Sequence, residues 1–86
     1  MKQDSSFFEE KDPQLVYIAK RLQEALDLES ILTAAGLDYG VEADEYIGGF
    51  IFRRQRVGAF FYVLPDAVEA ARRLIVENGY RALDSA

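Results

Sequence analysis

Residues 15–19 and 57–64 are apolar at successive rather than alternate positions, the pattern of strands covered on both faces. The first reads Leu15, Val16, Tyr17, Ile18 and Ala19. The second sets Val57, Ala59, Phe61 and Val63 on one face and Phe60, Tyr62 and Leu64 on the other. Both are rich in β-branched and aromatic residues and hold no proline. A third strand has a different character. Tyr39, Val41 and Ala43 alternate with Gly40, Glu42 and Asp44, so it is half-buried with one acidic face. Acids there solvate an edge and oppose edge-to-edge pairing. Two doubly apolar strands demand more cover than the rest of this chain obviously supplies.

The remaining periodic segments are helical. Leu22, Ala25, Leu26, Leu28, Ile31, Leu32 and Ala35 repeat at helical spacing, and Gly36 stands where a left-handed residue ends a helix. A second stripe joins Val68, Ala71 and Ile75 to Ala67, Ala70 and Leu74, while Arg72, Arg73 and Glu77 face water. Asp66 and Glu69 have capping-box spacing, which predicts Asp66 as the N-cap. Asn78-Gly79 ends that helix, Tyr80 can fold back over its last turn, and residues 80–83 are long enough for a short final strand. The order is βαββαβ. It predicts an α+β, ferredoxin-like fold: a four-stranded antiparallel sheet with two helices on one face, the first and third strands central. Residues 15–86 form that single domain. Residues 1–14 read as a tail, either frayed or docked through the aromatic pair Phe7-Phe8.

Composition narrows the chemistry. The 86 residues include no Cys and no His, which excludes disulfides, a structural zinc site, a thiolate nucleophile and an imidazole base. No serine has a base to activate it. Glu42, Asp44 and Glu45 read as a solvated strand and turn rather than an acid/base pair. Gly48-Gly49 lacks the lysine and helix start of a phosphate loop. The expectation is a non-catalytic protein without cofactor or metal. A chain of this length buries roughly 64% of its unfolded surface, so its core is small and a partner surface would help. The start of the sequence lacks the apolar stretch of a signal peptide, and no apolar run reaches about 20 residues. A cytoplasmic protein, not a membrane one, is expected.

Two helices leave one sheet face bare. Phe60, Tyr62 and Leu64, with Tyr17 on the first strand, would lie there as a candidate oligomer interface. The cover is a second copy, the Phe7-Phe8 tail, or a ligand. Arg53, Arg54 and Arg56 sit near the turn between the second and third strands, where like charges repel and stay exposed, as candidate contacts for a protein partner. An alternative is an RNA-recognition module with the same strand order, in which Tyr17 and Phe60 stack bases and the arginines reach phosphate. Against it stand Gly58 where an aromatic is expected and a net charge of −5, which disfavours nucleic acid.

Val16-Tyr17-Ile18-Ala19 before a helix carrying Glu24-Ala25 and Leu28 and ending Ala35-Gly36-Leu37, then Val63-Leu64-Pro65-Asp66 leading into Val68-Glu69-Ala70-Ala71, resemble the small bacterial family described as prokaryotic signal-transducing proteins. The resemblance spans residues 15–83. It implies a ferredoxin-like fold related to that of PII signalling proteins, in which the loop between the second and third strands contacts partners. It implies no catalytic residue. A regulatory module that senses a small molecule, in the manner of ACT domains, would hold its effector near the first strand-to-helix turn, around Lys20 and Arg21, or at a subunit seam.

Overall fold

β2 (Tyr39–Gly48) and β3 (Arg54–Val63) are the frame on which the other elements rest. The computed structural model describes residues 1–48 and 54–81. The two strands pair antiparallel without interruption, from Tyr39 opposite Val63 to Gly48 opposite Arg54. β1 (Gln14–Ala19) lies antiparallel on the other side of β3, from Gln14 opposite Val63 to Ala19 opposite Ala59. Because β1 stops there, β2 and β3 run on beyond it as a two-stranded ribbon among the described residues.

α1 (Leu22–Ala34) and α2 (Val68–Glu77) cover one face of the sheet. Ala25, Leu28, Leu32, Ala71 and Ile75 close a single core against Val16, Ala19, Tyr39, Phe61 and Val63. The stripe on α1 is narrower than its periodicity predicts. Leu22 and Leu26 are 76% and 48% exposed, since the line Ala25–Leu28–Leu32 alone faces the sheet. Both helices end the same way. Gly36 and Gly79 have φ of +76° and +86°. Leu37 N–H donates to the Leu32 carbonyl and Tyr80 N–H to that of Ile75, while Gly36 and Gly79 donate to Thr33 and Val76. These are the paired bonds of a Schellman motif, and they need the left-handed glycine.

The expected four-stranded ferredoxin-like sheet is corrected to three strands in the order β1-β3-β2. Among the described residues only β3 is central, and β1, expected at the centre, is an edge. The last strand fails at its start. Tyr80 is spent on the Schellman motif, its ring packs edge-on to Tyr17 with centroids 5.8 Å apart, and neither it nor Arg81 joins the sheet. The rest of that expected strand lies outside the described residues. Asp66 is corrected too. Pro65, with φ preset for a helical turn, opens a 3-10 turn over Pro65–Ala67, so Asp66 already sits inside it and makes no side-chain cap for α2.

The N-terminal segment is docked. Met1 and Gln3 hydrogen-bond Tyr39 at the outer edge of β2, and Lys2 pairs with Glu29 of α1 at 3.4 Å. After Asp4 the chain makes a 3-10 turn over Ser5–Phe8 on the opposite side of the sheet. Phe8 is only 7% exposed, and Phe7 meets it edge-on at 5.1 Å with the Lys11 ammonium 4.1 Å from its ring centre. The segment thus wraps the β2 edge and crosses to β1.

Candidate interaction surface

Strand parity decides which side chains share the helix-free face. Residues directly opposite in an antiparallel pair point the same way, so Leu15 shares a face with Tyr62, its partner, and with Gly40 beyond it. Ile18 likewise shares one with Phe60 and Glu42. The register shifts between Leu15 and Tyr17. That bulge gives Val16 and Tyr17 the same face, toward the helices: Val16 enters the core and Tyr17 packs against it. Tyr17 is therefore corrected as a member of the bare face. Its hydroxyl donates to the Glu24 carboxylate on α1. Burial, the Glu24 hydrogen bond and the charge of Glu24 all push that hydroxyl well above the usual phenol range. With Tyr17 on one face and Phe60 on the other, the two aromatics of the RNA-binding alternative do not meet.

What remains on the helix-free face is a row of half-buried apolar side chains: Leu15, Ile18, Phe60 and Tyr62, with Leu64 just past the end of β3. Leu15 and Ile18 take the place that sequence reasoning gave to Tyr17. A bulge has no signature in an unbroken apolar run, so the exchange was invisible there. One end of this row is closed by the N-terminal segment. Phe8 lies so close to Gly40 that a Cβ at that position would stand 2.6 Å from its Cε2. A lone glycine inside an alternating strand was the signal for that approach.

Between the segment and the sheet is a groove of about 640 Å³, lined by Phe8, Pro13, Gly40, Val41 and Tyr62 and bordered by Lys2, Asp4, Glu9 and Glu42. Three carboxylates and one ammonium border it. Burial raises the Tyr62 pKa, and the nearby carboxylates of Glu42 and Asp44 raise it further. The Asp4 carboxyl is held below its usual value by hydrogen bonds from Ser6.

The expected partner loop is different from its prediction. Arg54 and Arg56 belong to β3, opposite Gly48 and Tyr46, with Arg56 exposed; Arg53 lies outside the described residues. Residue pairing continues through them because β2 carries on with matching length. Lys20 and Arg21 are exposed in the β1–α1 connection, where the extended backbone of Arg21 starts the helix without a side-chain cap. Neither lines the groove. Among the described residues, no group of three or more metal-ligating side chains gathers and no helix is long and apolar enough to cross a membrane. No family model, curated protein or solved structure matches the chain.

Proposed function

We propose that the protein is a non-catalytic, cytoplasmic interaction module that self-associates through the helix-free face of its sheet. One observation carries this reading: Leu15, Ile18, Phe60, Tyr62 and Leu64 form a half-buried apolar row that no helix among the described residues covers, and among those residues the N-terminal segment caps it at one end only. Contiguous apolar surface of that kind is what interfaces bury. The surrounding charges suit a second copy. Glu42 and Asp44 lie beside Phe60 and Gly58, while Arg56 follows two residues further along the same face of β3. Among the described residues none of the three is in an ion pair. A regulatory role is part of the proposal and rests on the sequence resemblance of residues 15–83.

Sedimentation equilibrium over a wide concentration range tests the reading. The expected outcome is a mass above that of one chain, returning to it in Phe60→Asp, because an unpaired carboxylate buried in an apolar interface costs several kcal/mol. A single-chain mass at every concentration refutes self-association.

A further inference from the structure

The outer edge of β2 is engaged at one residue only among the described residues. Tyr39 donates to the Met1 carbonyl at 3.2 Å and accepts from the Gln3 N–H at 2.7 Å, so Lys2 and Tyr39 form a parallel bridge. The N-terminal segment then turns away at Asp4. Backbone groups along a strand point alternately to either side. Since those of Tyr39 point outward, those of Val41 and Ala43 do too, while Gly40, Glu42 and Asp44 bond β3. The next outward N–H, that of Glu45, is taken by the Asp44 carboxylate at 2.7 Å. Among the described residues, an unengaged stretch of edge thus lies between the docked N-terminal segment and a side-chain plug.

Charge selects what can pair there. Glu42, Asp44 and Glu45 are exposed and, among the described residues, form no ion pair. Two copies joined along this edge would oppose acid to acid, which destabilises a ladder. A strand with cations at alternate positions would instead set them beside Glu42 and Asp44 on the helix-free side. The first of these cations would reach the groove bordered by Asp4, Glu9 and Glu42, whose one bordering cation, Lys2, is already paired with Glu29 of α1. Its intervening side chains would fall beside Val41 and Ala43 on the other side. The Lys2–Tyr39 bridge shows that this edge takes backbone hydrogen bonds from another segment at its first residue. We propose that the β2 edge at Val41 and Ala43 binds an extended basic peptide segment of a protein partner as an added strand. The site shares Glu42 and Asp44 with the self-association face, so the N-methylated peptides on the intact chain, not the lysine variants, separate this proposal from that reading.

The test is fluorescence anisotropy with a labelled Lys-Val-Lys-Val-Lys-Val peptide and the full chain. Saturable binding is expected, falling at least tenfold when glutamate replaces lysine and at least tenfold for Glu42→Lys combined with Asp44→Lys. Two further peptides carry N-methyl groups on either the valines or the lysines. An added strand turns only alternate N–H groups toward its neighbour, so the loss should be confined to one of them. Ala43→Pro removes an outward N–H without touching the β2–β3 ladder and should also cost tenfold or more with an unchanged melting temperature. If that variant fails to fold, the methylated pair on the intact chain decides. Absence of saturable binding overturns the proposal. So does equal binding of both methylated peptides, which would show attraction of charges without strand addition.

Discussion

The β2–β3 hairpin is one continuous ladder with two unlike halves. From Tyr39 opposite Val63 to Ala43 opposite Ala59 it has β1 beside it, both helices on one face and the N-terminal segment on the other. From Asp44 opposite Gly58 to Gly48 opposite Arg54 it has none of these strand or helix neighbours among the described residues. Phe61 and Val57 lie on the same face, four residues apart, and are 0% and 66% exposed. The side chains are alike in chemistry and in strand preference. What separates them is the end of β1 at Ala19: burial in a sheet is conferred by neighbouring elements, not by the strand's own composition. A hairpin without such neighbours is marginal in water, so the outer half opens more readily than the inner.

The largest expected effect breaks the inner half. Phe61→Ala removes a wholly buried ring from between the helices and should cost about 3–5 kcal/mol in urea unfolding monitored by circular dichroism. A loss below about 1 kcal/mol would mean that the inner half is as loosely supported as the outer, and the comparison would fail.

The next sharpens how the inner half is closed on its helix-free side. Gly40→Ala places a Cβ where the Phe8 ring lies, so the ring must leave. The cost should approach the burial of one phenylalanine, about 1.5–3 kcal/mol. Phe8→Ala should cost a similar amount. The two must be strongly non-additive, with Gly40→Ala nearly silent once Phe8 is gone. Additive losses would show that the docked segment and the glycine act separately.

Much of the inner half was legible from residue pattern. The apolar strands at 57–64 and 15–19, the acidic alternation of β2 and the two glycine helix ends all follow from local chemistry that the fold then uses. The errors arose where one residue's role depends on a neighbour. Asp66 and Glu69 have the spacing of a capping box, but Pro65 starts the turn earlier and removes Asp66 from the cap. Tyr80 suits a strand, yet the Schellman motif and the Tyr17 ring claim it first. Tyr17 turns to the helix face because one bulge breaks the period-two alternation of β1, and an unbroken apolar run carries no sign of it. The candidate surface was therefore legible in its β3 part, Phe60 and Tyr62, and not in its β1 part or its Phe8 cover.

Tyr17 supplies a pH test confined to the inner half. Its folded hydroxyl titrates above the unfolded value, through burial and Glu24. The folded state therefore holds the proton more tightly, so this contribution is intact below about pH 10. It is lost as pH rises from there toward the folded value, where the unfolded chain ionises first. Urea midpoints should fall more steeply above pH 10 in the native chain than in Tyr17→Phe. At neutral pH the substitution should cost about 1 kcal/mol for the lost hydrogen bond. Parallel pH profiles for the two chains would remove Tyr17 from the inner half's support.

The smallest expected effect lies in the outer half. Val57→Thr keeps the branched shape that a strand favours and exchanges a methyl for a hydroxyl at a site already two-thirds in water. Among the described residues no helix or third strand depends on that methyl, and a hydroxyl there finds solvent. The change should stay within about 0.5 kcal/mol, and amide exchange at Phe61 and Val63, which reports opening of the inner half, should not move. A loss of 2 kcal/mol or more in the same urea measurement would mean that Val57 is covered in solution. The ribbon would then have a neighbour of its own, and the contrast with Phe61 would disappear.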